Sequence, residues 1–426
     1  MASPIECLPV EVFELIASDL DLPACKNLRL SSRRLQTLGF SAFAKRYFGE
    51  LTTTLGSPSL ERLACVSRHG YLSDFVKTLD ITILNQSDYK LMAEIDRVGV
   101  FPPPKRFPKV SGVSLANITK EATLYDDVSS PKYPQCIVVP LTRSLRVLSN
   151  LTAVRYRARH LESTGLRFSI PKGDRIFRTK CFDAVFDAIV KSGIQLETFA
   201  MAKVRRLIQP DKCANLPYAM LQSPTRSLSS KPHCFSHLQS LIISLDSTYD
   251  RKTSRVSGWQ VSLSQLIACA PNLKHLTLIL DRIERFEQIA THVTVVADCL
   301  SLSCRLDFLQ TLHLAHCSIQ GADLADFVTA HANSLQRLFL LKVSLFSGTW
   351  SSFWITLKGV KDLRIVKVSN LRGGDAPVIF RKDRNERLKV TLDADKSGLP
   401  MAAMLDSLVV WCETDIDHTT DGIVID

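Results

Sequence analysis

One passage of this sequence reads Leu309-Gln310-Thr311-Leu312-His313-Leu314-Ala315-His316-Cys317-Ser318-Ile319. Its apolar residues follow the pattern L-x-x-L-x-L-x-x-N/C-x-L, the consensus of a leucine-rich repeat, in which the first half forms a β-strand. The L-x-x-L-x-L half recurs, exactly or in degenerate form, with starts at Val76, Leu151, Leu196, Leu238, Leu273, Leu335 and Val360. We therefore expect one parallel strand from each copy, in an α/β repeat array whose strands line a horseshoe-shaped solenoid.

The spacing of the copies agrees with this expectation. The last five starts are separated by 35, 36, 26 and 25 residues, and regular leucine-rich repeats take roughly 20 to 29 residues. Helical patterns occupy the intervals, for example 262–269, 286–300 and 321–328. The strand spacing could also arise by chance in a doubly wound α/β protein, but the extension of the match to Cys317 and Ile319 favours repeats.

Two segments interrupt the array predicted for residues 76–392. Residues 85–140 contain Phe101-Pro102-Pro103-Pro104, and residues 209–233 are rich in Ser and Pro, so both are interpreted as insertions. Residues 393–426 contain one further apolar segment, interpreted as a cap on the last repeat, and then an acidic tail.

The composition is that of a folded protein without a membrane span. The 426 residues exceed what one compact core usually supports, and the 46% hydrophobic and 22% charged residues are ordinary values. No apolar run approaches the roughly 18 residues of a membrane span, and acids occupy the N-terminus in place of a basic signal segment. We therefore expect a cytoplasmic or nuclear protein whose twelve cysteines, none in a CxxC pair, are reduced.

The formal net charge of +11 lies entirely outside the first fifty residues. Residues 1–50 contain six basic and six acidic residues, whereas the remainder contains 47 basic and 36 acidic ones. The basic residues are dispersed and are not interleaved with aromatic residues. The pattern therefore favours a solvated surface over a nucleic-acid-binding one.

The best candidate for a metal site is the group Cys299, Cys304, His313, His316 and Cys317. Zinc accepts such ligands, but Cys317 already fills a consensus position of a repeat, and His313 alternates with inward-facing leucines. No phosphate-binding loop, nucleophile elbow or metalloprotease motif occurs. We therefore predict no metal, no cofactor and no catalytic residue, and expect a protein that is not an enzyme.

The beginning of the chain predicts short helices. Pro9 suits a first helical turn, and Val12, Leu15 and Ile16 recur at helical spacing. Asp21-Leu22-Pro23 ends that helix and starts the next one, which is predicted to direct its basic residues to water. Those basic residues are Lys26, Arg29, Arg33 and Arg34. Short helices in about forty residues bury little surface, so this unit is expected to need a partner.

Strand residues that alternate with the buried leucines form the expected recognition face of the array. The candidate substrate-binding residues are His275, His313, Arg337, Phe339 and Arg364. Arginine and aromatic residues concentrate in the cores of protein interfaces. A face that is merely solvated, or covered by the long loops, is the alternative, and the sequence leaves both readings open.

The N-terminal pattern resembles an F-box. The matching residues occur in order as Leu8-Pro9-x-Glu11, Ile16, Leu20-x-Leu22, Leu28-x-Leu30 and Ser32-Arg33-Arg34-Leu35. The whole chain is similar to fungal F-box proteins that carry degenerate leucine-rich repeats. This resemblance implies a three-helix F-box at residues 5–48, a helical linker at 49–75 and the repeat array from residue 76 onward.

The resemblance also implies partners. The F-box would dock on the Skp-family adaptor of an SCF-type cullin-RING ubiquitin ligase, and through it on a cullin scaffold, while the repeats hold an unidentified protein substrate. By family analogy the adaptor-binding residues are Leu8, Pro9, Ile16, Leu20, Leu28 and Leu35. The alternatives are an F-box scaffold that delivers no substrate, or a basic repeat protein that contacts chromatin or nucleic acid.

Overall fold

The computed structural model describes residues 4–83, 135–158, 172–201, 216–217, 232–246, 259–280, 306–373, 376–382 and 385–413. Within these residues the architecture is mixed α/β, with twelve α-helices and a large, mostly parallel sheet. The helices are α1 (Val10–Asp19), α2 (Leu22–Ser31), α3 (Arg33–Leu38), α4 (Phe40–Phe48), α5 (Ser57–Arg68), α6 (Gln135–Val147), α7 (Lys172–Ser192), α8 (Trp259–Ala268), α9 (Gly321–Ala330), α10 (Trp350–Leu357), α11 (Ala394–Ser397) and α12 (Met401–Glu413).

The strands form one long sheet and two small ones. In chain order they are β1 (Glu50–Thr53), β2 (Thr78–Ile83), β3 (Ala153–Ala158), β4 (Thr198–Ala200), β5 (Leu216–Pro217), β6 (Ser240–Asp246), β7 (His275–Leu280), β8 (Thr311–Ala315), β9 (Ser318–Gln320), β10 (Arg337–Leu341), β11 (Ser344–Ser347), β12 (Ile365–Ser369), β13 (Arg372–Gly373), β14 (Ala376–Pro377), β15 (Phe380–Lys382), β16 (Asn385–Arg387) and β17 (Lys389–Asp393). The long sheet has the order β1-β2-β3-β4-β6-β7-β8-β10-β12-β17, with β5 beside β6. Only β17 runs antiparallel to its neighbour among these pairs.

One row of apolar residues crosses the long sheet and faces the helices. Leu79, Leu241, Leu312, Leu338 and Val366 belong to this row, because each aligns through paired neighbours with the next. All five are at most 1% exposed, and they share one hydrophobic cluster with residues of α5 to α10 and α12. We call this side the helix-covered face of the sheet.

A left-handed turn recurs after three strands of the long sheet. His316, Lys342 and Asn370 follow β8, β10 and β12 and have positive φ values of 54°, 51° and 51°. The amide N–H of His316 donates to the Leu341 carbonyl and that of Lys342 to the Ser369 carbonyl, which links successive turns. Each turn leads into a strand of the second sheet, β9, β11 or β13.

The strand pairing corrects the predicted register of the last repeat. The sequence pattern placed Val360, Leu363 and Ile365 at the repeat's three apolar positions. The pairing of Leu338 with Val366 and of Leu340 with Val368 instead places Leu363, Val366 and Val368 there. Both readings put apolar residues at the required spacing, so the pattern alone could not separate them.

The predicted strands at Leu238, Leu273, Leu309 and Leu335 are confirmed by β6, β7, β8 and β10. The predicted helical linker at 49–75 is wrong in part, because its first residues form β1. This strand pairs in parallel with β2, so the sheet begins at Glu50 and not at Val76.

The remaining boundary predictions lie partly outside the described residues. The last residues of the predicted insertion 85–140, residues 135–140, belong to α6. In the predicted insertion 209–233, two residues form β5, which pairs with β6. The last two residues of that insertion begin a short 3-10 helix at Pro232–Phe235. In the predicted cap, α12 packs against α10 and buries Leu405 and Leu408 in the core, while the acidic tail lies outside the described range. Among the described helices, none is long and apolar enough to cross a bilayer.

Lys342 provides a test of the recurring turn. Its side chain is exposed, but its backbone is left-handed, a conformation that a β-branched residue adopts only with strain. We expect Lys342→Val to lower the free energy of unfolding by about 1–2 kcal/mol, and Lys342→Gly to be tolerated. Urea denaturation followed by circular dichroism measures both changes.

The matched control is Lys361→Val. Lys361 is also an exposed lysine, and it does not have a positive φ. Equal destabilisation by Lys342→Val and Lys361→Val would show that the left-handed turn contributes nothing specific to stability.

Candidate functional site

Helices α1 to α4 enclose a small core of their own. Phe13 and Ala17 of α1 pack with Leu35 of α3 in a cluster separate from the core of the long sheet. Gly39 allows this close packing, since a Cβ atom there would lie 2.9 Å from the Phe13 ring. So small a core supplies limited stability, which agrees with the expected need for a partner.

Side-chain caps define the turns of this helical unit. Asp21 caps α2 and Ser32 caps α3 by accepting hydrogen bonds from backbone N–H groups of their first turns. The prediction that Arg29 faces water is wrong in part. Its guanidinium lies 3.9 Å from the centroid of the Phe43 ring and thereby ties α2 to α4.

The helical unit exposes an apolar row on the side of α1 that faces away from its core. Val12, Leu15 and Ile16 are 42%, 70% and 39% exposed, and their spacing of three and four residues places them side by side. On α2, Leu30 is 84% exposed. Grouped exposed apolar side chains of this kind mark interaction surfaces.

The structure separates the six predicted adaptor-binding residues into three groups. Pro9 and Ile16 are exposed, whereas Leu8, Leu20 and Leu28 are partly buried. Leu35 is only 4% exposed and fills the core beside Phe13, so it presents little surface to a partner in this structure. Leu15 and Leu30, which are not among the six, are 70% and 84% exposed.

The strand residues that point away from the helices form what we call the opposite face of the long sheet. His275 and Arg337 flank Thr311 in one row of this face, and His313 lies directly beside Phe339 in the next row. Four of the five predicted substrate-binding residues therefore come together. The fifth, Arg364, does not join them, because it precedes β12, and Lys367 occupies the place beside Phe339.

His313 is a buried polar residue on the opposite face. It is 1% exposed, and its ring meets that of Phe339 edge-on at a centroid distance of 5.9 Å. Neither ring nitrogen has a hydrogen-bond partner. Burial lowers the pKa of His313 to about 4, so the ring is neutral at pH 7.

Charge is distributed unevenly over the opposite face. Near β1 to β3, Asp80 and Arg157 form a buried ion pair with a 2.8 Å contact between Arg157 Nε and Asp80 Oδ1. Near β10 to β17, the face carries Arg337, Lys367 and Lys389. Burial, together with the charges of Arg337 and Lys274, lowers the pKa of His275.

A cavity of about 30 Å³ opens on this basic part of the opposite face. Four adjacent strands contribute to it: β8 with His313, β10 with Phe339, β12 with Lys367 and β17 with Lys389 and Thr391. It was not predictable from the repeat pattern, because β17 joins the sheet antiparallel and belongs to no repeat.

The candidate zinc ligands do not converge within the described residues. Cys317 belongs to the core on the helix-covered face, whereas His313 lies on the opposite face, and Cys299 and Cys304 fall outside the described residues. Burial raises the pKa of the Cys317 thiol to about 12, which keeps it protonated. In the part of the chain that the structure describes, no three His, Cys, Asp or Glu side chains are grouped as a metal would require.

Comparisons with known proteins add no relative to this description. A scan against models of protein families matched none, and a search of curated proteins gave no match. The interpretation of the exposed apolar row on α1 and of the opposite face therefore depends on their own geometry and chemistry.

The lowered pKa of His313 gives a testable pH dependence. The unfolded chain takes up this proton near pH 6.5 and the folded chain only near pH 4, so stability is lost as the pH falls through that window. The loss amounts to roughly 3 kcal/mol. We expect His313→Phe, which cannot titrate, to remove this part of the pH dependence in urea denaturation at several pH values.

The control is His237→Phe, since His237 is exposed on the turn before β6. It makes the same substitution at an exposed position, so an equal change of slope in both variants would show that the effect is not specific to position 313. A wild-type slope in His313→Phe would show that His313 is not held neutral by burial.

Proposed function

We propose that this chain is the substrate-recognition subunit of an SCF-type cullin-RING ubiquitin ligase. In this proposal residues 5–48 are an F-box that docks on the Skp-family adaptor, and the sheet that follows binds a protein substrate. The observation that carries the proposal is the exposed apolar row Val12, Leu15 and Ile16 on a helical unit with a minimal core. Exposing three such side chains in water is unfavourable unless a partner covers them.

We further propose that the residues from Glu50 onward form a leucine-rich-repeat-like solenoid. Three features support this proposal: the long sheet follows chain order, its strands are parallel until β17, and a left-handed turn recurs after β8, β10 and β12. Helices packed on one side leave the other side of such a sheet available for recognition. The opposite face is the proposed substrate surface, where His275 and Arg337 are partly exposed and Phe339 is 3% exposed.

The chain would act without making or breaking bonds. Docking at one end and substrate binding at the other would raise the local concentration of the substrate at the ligase. The buried thiols agree with this role, because burial raises the pKa of Cys181 and of Cys317 and leaves both unsuited to nucleophilic chemistry.

Leu15→Lys tests the docking end. Leu15 is 70% exposed, so the substitution should leave the helical unit folded while placing a charge in the proposed contact. We expect the affinity for a purified Skp-family adaptor to fall by about tenfold or more. Isothermal titration calorimetry with the full chain measures the change.

Gln36→Lys is the matched control on α3. Gln36 is exposed and belongs to a different helix from the apolar row, so this variant should keep wild-type affinity with the same added charge. If Leu15→Lys and Gln36→Lys bind the adaptor equally well, the apolar row is not the docking surface.

The receptor role requires a second measurement. Proteins that bind the opposite face should be degraded more slowly in cells that express Leu15→Lys in place of the wild type, because the ligase is no longer recruited. Pulse-chase measurement of the turnover of the proteins captured by the opposite face reports this difference. Unchanged turnover of every captured protein, combined with lost adaptor binding, would favour the scaffold alternative.

A further inference from the structure

The cavity on the opposite face has the features of a binding site for a negatively charged group. Its walls come from β8, β10, β12 and β17, and its polar side chains are His313, Lys367, Ser369, Lys389 and Thr391. Because these strands belong to one hydrogen-bonded sheet, the backbone positions that carry these side chains are fixed relative to one another before any ligand arrives.

His313 is the strongest indication that the cavity takes a ligand. It is 1% exposed, it lines the cavity, and both ring nitrogens lack hydrogen-bond partners. A buried polar group without a partner costs stability, so its presence calls for an explanation. A ligand that accepts a hydrogen bond from the ring would satisfy its N–H group. Because the pKa of His313 is lowered, the neutral ring keeps one N–H for this purpose at pH 7.

The charges of the cavity select an anion. Lys367 and Lys389 have no ion-pair partner among the described residues. The Lys367 ammonium is held 5.7 Å from the centroid of the Phe339 ring, which keeps it near the cavity. Asp393, the acid at the end of β17, is already engaged, since it caps α11 and lies 3.6 Å from Lys396. Two lysines without an acidic partner repel a metal cation and attract a negatively charged group.

The cavity is small. Its volume is about 30 Å³, where roughly 10–15 Å³ accommodates one water molecule. It therefore suits a small charged group better than a large ligand. The single aromatic ring, Phe339, does not offer the series of stacking surfaces that single-stranded nucleic acid uses.

We propose that this cavity binds the carboxylate of an Asp or Glu side chain in an acidic segment of the protein substrate. Lys367 and Lys389 supply the charge, the His313 N–H and the Thr391 hydroxyl donate hydrogen bonds, and Phe339 contacts the methylene stem. The identity of the partner as a substrate rests on the proposed function, whereas the carboxylate chemistry rests on the cavity alone.

The test uses the full chain without added adaptor, so that peptide binding is measured independently of docking. The probe is a short labelled peptide of alternating Glu and Ser, compared with its Gln counterpart by fluorescence anisotropy. We expect the Glu peptide to bind more tightly, and Lys367→Gln or Lys389→Gln to weaken it by about tenfold. Lys361→Gln, which removes an exposed lysine outside the cavity, should have little effect.

His313→Phe separates a binding role from a structural one. Replacing the unpartnered ring with an apolar ring of similar shape should raise the midpoint of thermal unfolding at pH 7 and at the same time weaken the Glu peptide. Loss of both stability and binding would show that His313 supports the fold and is not a ligand group, which would overturn its part in the proposal.

Three results would overturn the carboxylate assignment while leaving adaptor docking intact. They are equal affinity for the Glu and Gln peptides, equal effects of Lys367→Gln and Lys361→Gln, or tighter binding of a phosphoserine peptide or an oligonucleotide than of the Glu peptide. Adaptor affinity measured on the same samples keeps this outcome separate, because failure of the proposed function would appear there and not in peptide binding.

Discussion

The apolar row that crosses the long sheet constrains the register of the sheet and the helices packed on it. In a strand, successive side chains point to opposite faces, so a residue such as Leu312 or Leu338 can be buried under the helices only if its neighbours in the chain point away from them. Parallel pairing then repeats the arrangement from strand to strand. A slip of one residue would expose the whole row, so the register is strongly specified. The positions of His313 and Phe339 on the opposite face are consequences of this register.

The left-handed turns return the chain to the core after each of three strands. The turns at His316, Lys342 and Asn370 each place an apolar residue, Cys317, Val343 or Leu371, back into the core immediately afterwards. They also start the strands of the second sheet. Lys342 and His316 occupy a conformation that favours glycine, which indicates that backbone hydrogen bonds to the next turn outweigh the local strain.

The spacing of apolar residues in the sequence was sufficient to predict the register of the strands around Leu241, Leu276 and Leu312, because their apolar residues fit only one register. It was insufficient where two registers were equally apolar, as with Leu363 and Val366. The predicted register put Arg364 on the recognition face, whereas the structure places Lys367 there, beside Phe339. The cavity could not be predicted at all, since Lys389 enters through an antiparallel strand outside the repeats. In the helical unit, periodicity found the exposed residues Val12 and Leu15 but did not reveal that Phe13 and Leu35 form the core.

In the proposed function, the apolar row on α1 docks on an adaptor while the sheet binds a different partner. Hydrogen–deuterium exchange of the full chain, with and without a purified Skp-family adaptor, separates these two surfaces. If the row is the docking surface, backbone amides in α1 and α2 exchange more slowly when the adaptor is present, and exchange in β8, β10 and β12 is unchanged. Slower exchange in the sheet strands, with α1 and α2 unaffected, would refute this assignment.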